Sequence, residues 1–334
     1  MQRICPFAVL ALVGLALGGC RQAPPPPQRP ATPAHPKTAS AFPLTLTDAR
    51  GVAVTFDKPP QRIVSMSPPI TETLFALGLG DRIVGVTRFC QFPEEAKTKE
   101  QIGGVSDPST EKIVSLAPDV VFVTVGNPLP VIEALEKVGI RVFSVDPKTY
   151  EGVCESVATL GRICGVPEAG ERLSGQMRAT AQEIAVKVAG IPPDKRPSTL
   201  LVVWLDPLFV AGPGTYMDDM LRVCGARNAA AETKNPWKEF SLEMAVAADP
   251  EVLVLMTEHT PGVKDGQEML AKLRAHPSWK GVRAVKNGRV SLIHSDLIAR
   301  TGPRLADGLK LLAKAIHPEL FGAVSEAPAH DAKR

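Results

Sequence analysis

The chain has 334 residues, 44% of them apolar and 22% charged, and a formal net charge of +3. That length suits two domains with tails, and that balance belongs to a globular chain able to bury a sizeable core. No block of five or more like charges occurs, so the charge pattern gives a nucleic-acid partner no support.

The first element is a leader. Met1, Gln2 and Arg3 precede an apolar run over residues 4–17, which ends in Gly18, Gly19 and Cys20. One positive residue, a short apolar stretch and small residues describe a secretory signal. The run is shorter than the roughly 20 apolar residues of a membrane span. Its "LGGC" ending resembles a bacterial lipobox, whose cysteine is diacylated and becomes the mature N-terminus, which makes Cys20 the expected lipidation site. The alternative is a plain signal with a chance cysteine. The next stretch, "RQAPPPPQRPATPAHPKTASAFP", favours extended polyproline II over a packed core. The expected order is a signal peptide (1–19), a Pro-rich tether (20–43) and a body held at a membrane in a periplasmic or other extracytoplasmic compartment.

The body opens with "LTLTDARGVAVTF", whose alternation around Asp48 to Gly51 predicts a β-hairpin. "RIVSMS" reads as a buried strand, and Pro68-Pro69 open a helix ending near Gly80. Strands are predicted at 83–86, 120–124 and 142–145, separated by helices near 111–116 and 131–138. A long amphipathic helix follows over 166–190, opened by Pro167 and closed before Pro192-Pro193. Beyond it the pattern repeats, with strands at 200–204, 252–256 and 290–293 and helices near 217–223, 267–274 and 304–316. Strands alternating with helices predict an α/β fold of two doubly wound lobes joined by one long backbone helix, with a ligand cleft between them. The expected boundaries are 44–165 for the N-terminal lobe, 166–197 for the connecting helix, 198–321 for the C-terminal lobe and 322–334 for a disordered tail.

Two stretches share one pattern: "STEKIVSLAPDVVFV" at 109–123 and "SLEMAVAADPEVLVL" at 241–255. Each predicts a short helix capped by Ser, with Glu in its first turn, then a Pro stop and a central strand. A first-turn glutamate is common, and either alone is only a helix feature. Glu111 and Glu243 at matching places in two lobes are anionic posts suited to a partner with paired basic sockets.

From about residue 44 to 321 the chain resembles the periplasmic binding proteins for cobalamin and iron–siderophore complexes, which feed ABC importers and have a single-helix hinge. The matching stretches are "DARGVAVTFDKPPQRIVSMSPPITETLFALGLGDRIVGVT", "STEKIVSLAPDVVFV", "PWKEFSLEMAVAADPEVLVL" and "ARTGPRLADGLKLLA", in family order. The resemblance implies a monomeric receptor that captures a metal chelate and delivers it to a permease dimer with its ATPase subunits. It implies that Glu111 and Glu243 dock into arginine-lined pockets of the permease. Ligands of such proteins lie between the lobes, beyond the carboxyl ends of the strands. There the resemblance places Phe89, Phe209 and Trp237 as cleft aromatics, with Asp296 and Arg300 as a polar edge; a core role is the alternative for either phenylalanine. Val105 and Val125 stand where the cobalamin type has tryptophans, whereas "RFCQFP" looks like the cobalamin branch. Cobalamin or a related corrinoid is the expected ligand, with a ferric siderophore or haem as the alternative.

A bare-metal receptor needs His ligands from both lobes, and no His occurs between His35 and His259. No resident metal or cofactor is expected. His276, His317 and His330 read as surface residues, His294 as part of a strand and His259, just after a strand, as a loop residue, with a haem ligand as the alternative. Cys90, Cys154, Cys164 and Cys224 remain in a compartment that permits pairing. Cys154 and Cys164 share a helix about 15 Å apart, too far to bridge. Cys90 with Cys154 or Cys164 is the pairing to test, against four buried free thiols. The resemblance implies that Cys224 matches a cysteine bridged in some members of that family, but the expected partner position reads Ala313 here. The competing class, a lipoprotein enzyme, finds no G-x-S-x-G, H-E-x-x-H or P-loop motif, so binding without catalysis is expected.

Overall fold

The computed structural model describes residues 42–233, 237–257, 263 and 265–323, and only the backbone of 237–239. Strands β1 (Leu44–Thr47) and β2 (Ala53–Phe56) form the antiparallel hairpin, with Leu44 opposite Phe56. Asp48 is its staple: its carboxylate accepts from the backbone amides of Arg50 (2.8 Å), Val52 (3.0 Å) and Ser144 (3.2 Å). The N-terminal lobe continues with β3 (Ile63–Ser65), α1 (Pro68–Ala76), β4 (Ile83–Val86), α2 (Thr110–Ser115), β5 (Val120–Thr124), α3 (Leu129–Lys137) and β6 (Arg141–Val145). These strands form a parallel sheet in the order β4-β3-β5-β6. Helices cover such a sheet on both faces, and the unbroken apolar run of β5 is buried accordingly.

Helix α4 (Tyr150–Ile163) turns back into the long α5 (Pro167–Val188). A Cβ on Gly161 would lie 2.8 Å from the Cα of Gly170, so the two helices touch through their backbones. The Tyr150 hydroxyl donates to the Met177 carbonyl at 3.0 Å, which locks the pair further.

The C-terminal lobe contains β7 (Ser198–Leu205), β8 (Leu208–Ala211), α6 (Tyr216–Val223), β9 (Arg227–Asn228), β10 (Trp237–Glu239), α7 (Leu242–Ala248), β11 (Val252–Met256), α8 (Gly266–Ala275), α9 (Arg283–Lys286), β12 (Val290–Ile293), α10 (Ser295–Ile298), α11 (Leu305–Ile316) and α12 (Pro318–Phe321). Its sheet runs β10-β8-β7-β11-β12, with β9 paired to the start of β7. β7, β11 and β12 are parallel, as expected, but β8 runs antiparallel to both its neighbours, β7 and β10. The tight turn at Asp206-Pro207 is too short for a crossover, so the chain can only return antiparallel.

One hydrophobic core joins the lobes. Tyr150, Val153 and Val157 of α4 and Met177 and Ile184 of α5 pack with Leu201, Met220, Val254 and Leu309 of the C-terminal lobe. Further along α4, Leu160 and Ile163 belong to the N-terminal core with Ile63, Leu74 and Phe122. α5 is the covalent link, and α4 beside it serves both cores.

Candidate ligand cleft and docking faces

The lobes meet beyond the carboxyl ends of their parallel strands. There α1, following β3, presents Glu72, whose side chain is only 2% exposed. From the other lobe, α10 and the turn after it bring Asp296, Arg300 and Arg304. Arg304 donates to both oxygens of Glu72, at 2.8 and 2.7 Å, and Arg300 donates to Oε1 at 3.0 Å. Asp296 takes Arg300 at 2.7 Å and Arg304 at 3.5 Å. The Arg304 guanidinium also lies 4.0 Å from the centre of the Phe92 ring. Burial works against the Arg304 cation, but hydrogen bonds and charge from Glu72 and Asp296 outweigh it and raise its pKa. Gly302 lies beside this cluster, where an added Cβ would sit 3.1 Å from the Pro69 carbonyl oxygen. Two carboxylates against two guanidinium groups make a cluster with no net charge where the lobes meet.

Asp296 and Arg300, expected from the sequence, are therefore together. Glu72 and Arg304, their partners, went unnoticed. The available signal was an acid inside the apolar helix "ITETLFAL", where only a paired carboxylate can be buried.

The aromatic residues lie on both sides. Phe89 is 48% exposed, so it is no core residue; the Arg88 guanidinium, bound to the Asp107 carboxylate at 2.9 Å, sits 4.9 Å from its ring centre. Phe209 is half-buried on β8 opposite Trp204 of β7. Trp204, not singled out from the sequence, is 43% exposed, and its indole N–H donates to the Asp206 carbonyl at 2.7 Å. The backbone of Trp237 pairs with Ala211, and its side chain lies outside the described residues. Val125 is exposed, and the buried Asn127 ties its loop to the carbonyls of Met66 (3.0 Å) and Val105 (2.9 Å). Two surface hollows, of about 330 and 290 Å³, lie instead against the β1–β2 hairpin and β6. Neither is lined by these cleft residues.

No disulfide forms between Cys90 and Cys154 or Cys164: all four described cysteines are free and buried. The Cys90 sulfur is held by the hydroxyls of Thr71 (3.1 Å) and Thr87 (3.2 Å), while Cys154 faces the core shared with the other lobe. Burial pushes the Cys154 and Cys164 thiols up to about 12. His317 is buried rather than at the surface, with Nδ1 3.1 Å from the Glu319 carboxylate. His294 caps α10 instead of ending a strand. His259, His330 and Cys20 lie outside the described residues. Among the described residues no cluster of three or more His, Cys, Asp or Glu could hold a metal ion.

Glu111 and Glu243 are exposed in the first turns of α2 and α7. The Ser109 hydroxyl caps α2 by accepting from the Lys112 amide at 3.3 Å, and Ser241 caps α7 by accepting from the Met244 amide at 3.1 Å. Hydrogen bonding to its own backbone and to Ser241 lowers the Glu243 pKa.

Two α/β lobes on a shared helical spine, meeting across an ion-paired cleft, define a solute receptor. The chain belongs to the periplasmic binding protein family, whose model matches residues 63–297. It is 33% identical to an uncharacterised ABC transporter substrate-binding lipoprotein of Bacillus subtilis, covering 94% of this chain and 97% of that one. It is 30% identical to a cobalamin-binding protein of Halobacterium salinarum, over 93% of this chain and 84% of that one. A crystal structure of a periplasmic heme binding protein from Pseudomonas aeruginosa superposes with a TM-score of 0.66 at 30% identity, covering 78% of this chain and 94% of that one. The chain is thus a binding protein and not an enzyme, an extracytoplasmic substrate-binding component of an ABC transporter.

Proposed function

We propose that this receptor captures cobalamin or a related corrinoid and hands it to the permease. The observation that carries the reading is the charge balance of the cleft. Arg300 and Arg304 are matched by Glu72 and Asp296, and Arg88 by Asp107, so among the described residues the floor offers no uncompensated cation. An anionic ferric siderophore or the propionates of haem call for such a cation; a bulky, amide-fringed corrinoid does not. Exposed Phe89 and Trp204 supply the apolar surface that such a macrocycle covers. The cobalamin-binding relative supports the same choice. The alternative, haem, draws on the Pseudomonas aeruginosa protein.

In this reading the receptor works as a monomer. Phe89, Phe209, Trp237, Asp296 and Arg300 line the cleft, Cys20 carries the lipid, and Glu111 and Glu243 meet the permease. Isothermal titration of the purified protein against cobalamin, cobinamide, haem and ferric siderophores tests the ligand. Binding of a corrinoid is expected, and haem or a siderophore binding alone would overturn the reading.

A further inference from the structure

We propose that each docking face is a carboxylate and an apolar knob set one helical turn apart, Glu111 with Val114 and Glu243 with Val246. Such a face fits a membrane partner that offers one socket twice, a basic side chain beside an apolar patch. The proposal rests on the permease-docking reading of the two glutamates and adds the half of the contact that charge does not supply.

The two faces match in pose as well as in sequence. After each capping serine and exposed glutamate comes a residue with no exposure, Ile113 or Ala245, which anchors the helix inward. The next residue turns outward, and Val114 is 40% and Val246 36% exposed. Each helix then stops on a left-handed residue that is not glycine, Ala117 with φ 43° and Asp249 with φ 40°. That conformation is strained for a side chain and persists only where the surroundings impose it. A buried proline follows in both cases, Pro118 or Pro250.

The supports of this pose are equivalent but come from different parts of the chain. The Ala117 carbonyl accepts from Arg62 at 3.1 Å, whereas the Asp249 carbonyl accepts from Arg283 at 2.7 Å. Arg62 precedes β3 in its lobe, and Arg283 opens α9, after β11, in the other. The acid after each proline clamps the start of the neighbouring strand: Asp119 accepts from the Arg62 amide at 2.9 Å, and Glu251 from the Ser198 amide at 2.8 Å. The same strained shape built with different parts points to a requirement on what is presented, not on how it is held.

What is presented is a negative charge with an exposed valine one turn away. A single exposed valine needs no explanation. Two at matching places beside matching carboxylates fit a contact in which apolar groups exclude water from a charge pair. A second copy of this chain is a poor occupant, because face against face would oppose glutamates. The neighbouring position differs between the lobes. Lys112 is drawn to Glu100 at 3.0 Å, and Met244 is exposed, so neither belongs to the shared pattern.

The test is saturable binding of the full chain to cytoplasmic-membrane vesicles from the source organism, deleted for its own copy of the gene. All variants carry Cys20→Ser, so that no lipid tethers them. Val114→Thr with Val246→Thr keeps shape and branching while adding a hydroxyl, and is expected to weaken vesicle binding about tenfold, with melting temperature and cobalamin titration unchanged. Val138→Thr, at an exposed site at the end of α3, is expected to have no effect. If the double valine variant binds as the parent does while Glu111→Ala with Glu243→Ala is lost, the apolar half is wrong and the glutamates stand. If the parent shows no saturable binding, or the double glutamate variant keeps it, the docking reading fails and this proposal with it.

Discussion

Arg304 and Glu72, 232 residues apart in the chain, are joined by two hydrogen bonds, from Nε to Oε2 at 2.8 Å and from Nη2 to Oε1 at 2.7 Å. A fork meeting a carboxylate in this way is among the stronger polar contacts a protein makes, and here it joins two lobes. Glu72→Ala leaves two half-buried arginines facing Asp296 alone. Removing one partner of a buried pair costs about 3–5 kcal/mol, and a loss of that order is expected in urea denaturation. Glu72→Gln, which keeps an acceptor, should lose less. A Glu72→Ala protein as stable as the parent would show that the contact does not hold the lobes.

Trp204 and Trp279 differ in a way that fluorescence can read, since the first is exposed and the second buried. On the corrinoid reading, ligand binding should quench the parent protein, and Trp204→Phe should lose part of that quench at nearly unchanged affinity, with Trp237, placed in the same cleft, keeping the rest. Trp204→Ala should weaken binding several-fold, in line with the roughly 0.5–1.5 kcal/mol of an aromatic pair. Equal quenching in all three proteins would place the ligand away from β7.

Asp48 gives the hairpin a pH dependence. Burial opposes its charge, but the Arg50 side chain and the amides of Val52, Arg50 and Ser144 prevail and hold its pKa below the usual carboxylate value. A depressed folded-state pKa stabilises the fold above the unfolded value, near 3.9, and that contribution is lost as pH falls through the folded one. Asp48→Asn should therefore be less stable than the parent at neutral pH, with a shallower decline below about pH 4. Parallel acid limbs in thermal melts of the two proteins would contradict this.

The four thiols make a simpler case. Cys90, Cys154, Cys164 and Cys224 are buried, and burial raises the pKa of each. Native protein should resist iodoacetamide at neutral pH, and unfolding should release all four without a reductant. Dependence of their labelling on prior reduction would reveal a bridge.

Much of this was legible in the sequence because buried parallel strands are written as unbroken apolar runs. The spans predicted at 83–86, 120–124, 252–256 and 290–293 recur residue for residue in the structure. The antiparallel β8 and β10 were not legible. One is a four-residue strand and the other three, and neither carries a periodicity that separates it from loop. The cleft was half-legible. Asp296 and Arg300 lie four residues apart and could be seen together, whereas Glu72 comes from the other lobe, and only the fold brings it within 3.0 Å of Arg300. Trp204 was hidden because a tryptophan ending an apolar strand looks like more of the same strand.

The backbone contact between Gly161 and Gly170 determines what kind of messenger this protein is. With α4 and α5 fused there, and Tyr150 to Val157 sunk in the opposite lobe's core, wide opening would tear apolar surface into water. Empty and loaded receptors should then share nearly one outline, and a transporter that reads shape alone would receive both. The empty form becomes a competitor for its own docking site. Uptake at fixed ligand concentration should rise with receptor dose, pass a maximum and fall as unoccupied copies crowd the membrane. Steady saturation without a fall would mean that the transporter tells full from empty by touching the cargo itself.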